Sequence, residues 1–152
     1  MRPPLPILYA SASGNAEELA GLAAAHFAAL GWESSAVNLA EFPASRLPET
    51  PLALVIASTW GDGEPPPDAA DFVAALRAPA PLGLTGLRYA VLALGSSMYP
   101  AFCACGREID ARLAVHGAQR LVPRVDADTK YLADFRRWLA DLTAALEQLQ
   151  LS

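Results

Sequence analysis

Leu52-Ala53-Leu54-Val55-Ile56-Ala57 runs without a break into Ser58-Thr59-Trp60-Gly61-Asp62-Gly63-Glu64-Pro65-Pro66-Pro67. The first six residues are all apolar, the pattern of a short strand covered on both faces, as in a parallel sheet. The next ten place two hydroxyls, an indole, two glycines, two carboxylates and three prolines in one loop. Glycine and proline there give the backbone a defined shape. Two readings are open at this point: a proline-rich surface turn, or a binding loop whose partners lie elsewhere in the chain.

Moving outward, the same unit of strand, polar loop and helix recurs. Leu5 to Ala10 reads as a strand that ends at Ser11-Ala12-Ser13-Gly14-Asn15, and Ala16, Leu19, Ala20, Ala23, Phe27 and Leu30 then follow at helical spacing until Gly31. Asn15 is the expected N-cap, with Glu18 completing a capping box. Glu33 to Leu39 reads as a weaker edge strand, and residues 40–50, with Pro43 and Pro48, as a surface connection. A helix is expected from Asp68 to Arg77, with Phe72, Val73 and Leu76 inward, and residues 78–83 as a linker.

Leu87 to Leu94 is a further buried strand, followed by the polar loop Gly95-Ser96-Ser97-Met98-Tyr99-Pro100. Phe102, Gly106, Ile109 and Leu113 mark one face of the next helix, which Gly117 closes. Gln119 to Val125 reads as the last strand. Asp126-Ala127-Asp128 then turns the chain into a final helix with Phe135, Leu139, Leu142, Leu146 and Leu149 inward.

Five strands alternating with helices predict a doubly wound α/β domain with a five-stranded parallel sheet and helices on both faces, because parallel neighbours require helical crossovers. The 152 residues are read as a single domain. Ligands bind such sheets outside the carboxyl ends of the strands. The three distinctive loops, 11–15, 58–67 and 95–100, follow strands 1, 3 and 4 and so fall on that edge.

Composition narrows the function. The net charge is −5. Its distribution is uneven: the first 76 residues carry nine acids against Arg2 and Arg46, the rest nine bases against seven acids. An acidic first half disfavours a nucleic-acid partner and suits steering toward a basic protein surface. No apolar run reaches the ~20 residues of a membrane span, the N-terminus lacks the pattern of a signal peptide, and a cytoplasmic location is expected. The two cysteines, Cys103 and Cys105, do not form a metal-binding or CxxC pattern and are read as buried or half-buried free thiols; no metal site is expected.

The loops offer particular chemistry. Residues 11–15 supply two hydroxyls, an amide and backbone N–H groups at a helix start, a good anion site. They contain no Lys or Arg, which favours a resident phosphate monoester over a phosphate undergoing transfer. A Walker loop is absent, the dinucleotide fingerprint is incomplete and misplaced, and Ala57-Ser58-Thr59 stands where a phosphoacceptor Asp would end strand 3. His26 and His116 lie in helical stretches away from the loops, leaving hydrolysis without a base. Trp60 and Tyr99, in the two loops flanking the expected crevice, suggest a flat aromatic ligand between two rings.

With these residues in place the chain resembles a flavodoxin, most of all the FMN domain of the sulfite reductase flavoprotein and related diflavin reductases. Ser11 to Glu17 resembles that family's phosphate loop, with Ser13 where Thr is usual. Ser58 to Pro67 resembles its Ser-Thr-x-Gly-Glu-Gly-Glu-Pro-Pro segment, with Asp62 in place of Glu. Leu94 to Tyr99 with Phe102-Cys103 resembles its third loop, and Arg124 to Asp128 its last strand end. The match runs from about Ile7 to Leu146.

The resemblance implies strand order 2-1-3-4-5 and FMN as cofactor. It implies that Ser11, Ser13, Gly14, Asn15 and Ala16 hold the phosphate, that Trp60 and Tyr99 flank the isoalloxazine, and that Gly61 lies near flavin N5. Gly95, Phe102 and Asp128 would complete the ring and ribityl surroundings. Ala12, Ser58, Thr59, Asp62, Gly63, Leu94, Ser96 and Cys103 belong to the same loops and are counted with the cofactor site. Ser96 stands where the family commonly has Asp or Asn.

The implied function is one-electron transfer, with a flavin/NADPH reductase module as donor and a redox protein as acceptor, docking on the acidic loop edge of a monomer. A hydrogen bond from N5–H to the Gly61 carbonyl, worth ~1 kcal/mol in the reduced states only, would move a one-electron potential by roughly 40 mV. Two other readings stay open: a flavin-free interaction module, and a small NAD(P)H-dependent quinone reductase.

Overall fold

The computed structural model describes residues 2–11, 14–60 and 63–149. Strands β1 (Leu5–Ala10), β2 (Ser34–Asn38), β3 (Leu52–Ser58) and β4 (Arg88–Leu94), with the short strands β5 (Gln119–Arg120) and β6 (Val125–Ala127), form one parallel sheet of order β2-β1-β3-β4-β5. Helices α1 (Asn15–Ala29), α2 (Ala70–Arg77), α3 (Ala104–Val115) and α4 (Leu132–Gln148) cover its faces.

The unbroken apolar run of β3 follows from this sandwich. Successive strand residues point to opposite faces. Leu52, Leu54 and Ile56 pack with α1 and α4, while Ala53, Val55 and Ala57 pack with α2 and α3, so all seven residues of β3 are buried. Gly31 and Gly117 end α1 and α3 with positive φ of 92° and 106°. At each, the two residues after the helix return N–H bonds to its last turn, the arrangement for which glycine is suited.

Several expectations change in three dimensions. The last strand is not the continuous Gln119–Val125. It is β5 and β6, both paired with β4 and separated at Leu121–Arg124. Pro123 has no N–H for a ladder, and Arg120 and Arg124 turn to the buried carboxylate of Asp110, at 2.7 and 2.8 Å. Residues 40–50 are not a mere surface connection. They hold two 3₁₀ turns, Leu39–Glu41 and Ala44–Glu49, whose Phe42, Ala44 and Leu47 are buried against the face that carries α2. The helix expected from Asp68 starts as a 3₁₀ turn, Pro67–Ala69, before α2. In α4 the fully buried Trp138 joins the inward set, whereas Leu149 is only half-buried.

The N-cap of α1 is also corrected. It is Gly14, at φ 89°, and no side chain among the described residues caps the helix. Asn15 is already the first helical residue, so its side chain is misplaced for a capping box. The Gly14 carbonyl instead accepts the Glu18 N–H at 3.1 Å.

The strand register brings the ends of the sheet level. Ala10 pairs with Ala57, Ser58 with Leu94, and Leu94 with Ala127. The loops after β1, β3, β4 and β6 therefore leave the sheet at one edge.

Candidate functional site

The loop after β1 is described at its two ends, Ser11 and Gly14. Ser11 Oγ is buried and, among the described residues, has no hydrogen-bond partner. A buried hydroxyl without a partner is uncommon in a folded protein and points to a missing one. Next in the described chain, Gly14 opens α1 in the left-handed region, and a Cβ placed on it would meet nothing within 4 Å. Around Gly14, at the helix N-terminus, the described residues leave open space. Asn15 is half-buried there, and the Ala16 side chain is wholly buried in the core. Ala12 and Ser13 lie outside the described residues, as do Gly61 and Asp62.

In the loop after β3 the described residues on either side of positions 61 and 62 are bonded to one another. Trp60 N–H donates to the Glu64 carbonyl at 2.9 Å, and Gly63 N–H to the Trp60 carbonyl at 3.0 Å. The Trp60 indole is left outward, 50% exposed. Ser58 is buried at the end of β3. Thr59 uses its N–H on the Leu94 carbonyl, at 3.2 Å, and its hydroxyl accepts the Cys105 N–H, at 3.1 Å. Gly63 lies so close to the next loop that a Cβ on it would be 2.6 Å from Ala101 Cβ.

The loop after β4 is tied down at several points. Leu94 is buried, and Gly95 donates to the Ala127 carbonyl at 3.0 Å. A Cβ on Gly95 would be 2.6 Å from the Cys103 backbone nitrogen. Ser96 Oγ accepts the Met98 N–H at 3.3 Å, and its carbonyl accepts the Tyr99 N–H at 3.1 Å. Tyr99, at 61%, and Met98, at 88%, are left outward, while Phe102 is half-buried. Cys103, the N-cap of α3, has a φ of 57°, the one positive value outside glycine among the described residues. Its thiol lies 3.3 Å from the Ala93 carbonyl and 3.6 Å from that of Ala127.

Asp128 does not stand free beside the crevice. Its Oδ1 accepts the N–H groups of Ser97, at 3.0 Å, and Thr129, at 2.7 Å, and its Oδ2 accepts the Ser97 hydroxyl. Ser97 was not among the expected site residues. No local pattern marks it, because its partner is 31 residues away.

Charge follows from these contacts. The Ser97 hydroxyl first, then the Ser97 and Thr129 amides, hold the Asp128 carboxyl below its ordinary value. Burial, helped by Asp126, pushes the Cys103 thiol up to about 12, and burial with Glu108 does the same for Cys105. Both cysteines are buried and free. Glu17, Glu18 and Glu64 are exposed and Asp68 half-exposed around the loops. The histidines are engaged elsewhere, His26 with Thr143 at 2.9 Å and His116 with the Leu76 carbonyl and Leu82 N–H. Among the described residues no group of His, Cys, Asp and Glu could hold a metal, and no helix is long and apolar enough to cross a membrane.

Comparison with known proteins identifies the family. The flavodoxin family model matches residues 7–138. The sulfite reductase [NADPH] flavoprotein alpha-component of Shewanella sp. (strain MR-4) is 39% identical over 146 residues, 94% of this chain and 24% of that protein. Its counterpart in Bacillus subtilis (strain 168) is 36% identical over 142 residues, 93% of this chain and 24% of its own. Among solved structures, the flavodoxin of Streptococcus pneumoniae TIGR4 superposes with a TM-score of 0.81 at 28% identity, covering 95% of this chain and 99% of that one. The chain spans about a quarter of the length of the curated relatives it matches.

Proposed function

The chain belongs to the flavodoxin family, whose cofactor is FMN, and we propose that it carries single electrons between a reductase and a redox partner protein. FMN supplies the one-electron chemistry; the protein supplies the binding and the surroundings. The observation that carries the reading is the buried Ser11 Oγ, without a partner among the described residues, in the same loop as the open Gly14 at the start of α1. A phosphate monoester fits both: its oxygens accept from the hydroxyl and from backbone N–H groups at the positive end of the helix.

In this reading Ser11, Ser13, Gly14 and Asn15 orient the phosphate, together with the backbone of Ala12 and Ala16. Trp60 and Tyr99, outward and half or more exposed, cover the ring and exclude water from its faces. Gly61, with Asp62 and Gly63, would border the ring, where a backbone carbonyl would accept a hydrogen bond from a ring N–H. Ser58, Leu94, Gly95, Ser96, Phe102 and Cys103 form the floor and wall, and Asp128 holds the wall in place. The residues form one domain that works as a monomer in the cytoplasm. An NADPH-oxidising flavin module donates, as the relatives' names suggest, and a basic-faced redox protein docks on the edge that bears Glu17, Glu64 and Asp68.

Titration of the flavin-free chain with FMN tests this. Saturable uptake is expected, weakened roughly tenfold or more in Ser11→Ala, from the loss of one charge-assisted hydrogen bond. A chain that takes up no FMN sinks the proposal. A Ser11→Ala variant that binds as tightly as the unaltered chain refutes the phosphate assignment alone.

A further inference from the structure

Helix α3 starts without a cap of its own. Cys103, at its N-cap, has left-handed backbone and makes no side-chain cap bond, although the first N–H groups of any helix need partners. One comes from another loop: Thr59 Oγ1 accepts the Cys105 N–H at 3.1 Å, 46 residues along the chain. The same residue's N–H is bonded to the Leu94 carbonyl, so Thr59 grips β4 on one side and α3 on the other. Gly63 closes the gap farther out, with no room for a Cβ against Ala101.

We infer that Thr59 is a positioning residue: its hydroxyl latches the Trp60 loop to the start of α3, so that the Trp60 and Tyr99 loops hold a fixed separation. The inference rests on the proposal that these loops flank FMN, and it gives Thr59 a role through the backbone of α3 rather than as a ligand contact. The latch acts on both rings at once, because Trp60 follows Thr59 directly and Tyr99 lies in the segment between β4 and α3. Removal of the hydroxyl leaves a helix N–H without its partner and frees one loop from the other.

The test compares Thr59→Val, which keeps the shape and removes the acceptor, with Thr59→Ser, which keeps the acceptor. In the flavin-free protein, hydrogen exchange at the Cys105 amide should be roughly fivefold faster in Thr59→Val and unchanged in Thr59→Ser. With FMN, Thr59→Val should bind roughly five- to tenfold more weakly and show shifted one-electron potentials, and Thr59→Ser should restore both. A Thr59→Val protein with unaltered affinity and potentials overturns the inference, as does a Thr59→Ser protein as impaired as Thr59→Val. If the unaltered chain takes up no FMN, the cofactor reading fails instead, and unchanged Cys105 exchange in Thr59→Val then overturns the latch by itself.

Discussion

Ser97 donates both its backbone N–H, at 3.0 Å, and its hydroxyl to the carboxylate of Asp128, which joins the loop after β4 to the residue that follows β6. The bond holds the segment that presents Met98 and Tyr99. Asp128→Ala should therefore weaken FMN binding by several-fold, read by fluorescence titration, while Asp128→Asn, which keeps an acceptor, should lose less. The pH dependence has a definite sign. The folded carboxyl is held below its ordinary value, so the tether is complete above about pH 4 and is lost as pH falls through the depressed folded value. Affinity that declines between pH 8 and pH 6 in parallel with the tether would contradict this.

Asp110 is a second carboxylate with partners on several sides. It is 2% exposed, lies 2.7 Å from Arg120 and 2.8 Å from Arg124, and accepts the Tyr89 hydroxyl at 2.9 Å. Burial pushes its carboxyl up, but Arg120, Tyr89 and Arg124 together hold it below its ordinary value. Asp110→Ala should cost about 3 kcal/mol at pH 7, the low end for breaking a buried pair because both arginines reach solvent. Urea unfolding measures it. Because the folded value is depressed, the gap between the variant and the unaltered chain should persist at neutral pH and narrow below about pH 4.

Gly106 brings α3 against β4. A Cβ on it would be 2.4 Å from Ala93 Cβ and 2.8 Å from Ala93 Cα, and the second contact is backbone that cannot turn aside. Gly106→Ala should destabilise the fold by about 1–3 kcal/mol, even though alanine is the better helix former by about 1 kcal/mol. A denaturation midpoint equal to or above that of the unaltered chain would show that α3 can stand off from the sheet.

Cys103 and Cys105 should be silent in the native state. With both thiols pushed up to about 12, the thiolate at pH 8 is about one in ten thousand. An aromatic disulfide reagent should react with two thiols per chain in concentrated guanidinium and with almost none in buffer. Rapid labelling of either in buffer would mean that the start of α3 opens readily.

Much of the fold was legible because its signals are local. β1, β3 up to Ala57 and β4 from Tyr89 are continuous apolar runs, and Gly31 and Gly117 punctuate helices whose apolar spacing is regular. Other features had no such signal. Phe42 and Leu47 sit among prolines and polar residues, and only the uncovered sheet face beside them makes them core. Trp138 falls inward next to Leu139, where a narrow stripe of leucines left it out. The break between β5 and β6 falls at Leu121–Arg124, where Pro123 has no N–H for the ladder and the Arg124 side chain joins that of Arg120 on Asp110, a partner 14 residues back in the chain.

At the site the division is similar. The residue types in the three loops, and their place after strands 1, 3 and 4, can be read along the chain, because periodicity and turn chemistry involve neighbours a few positions apart. Which of those polar groups remain available cannot. Thr59 and Asp128 turn to partners 46 and 31 residues distant, while Ser11 Oγ is buried without one among the described residues. Those pairings exist only after the strands are ordered and brought level, because a hydrogen bond needs its donor and acceptor within about 3 Å, whatever their separation in sequence.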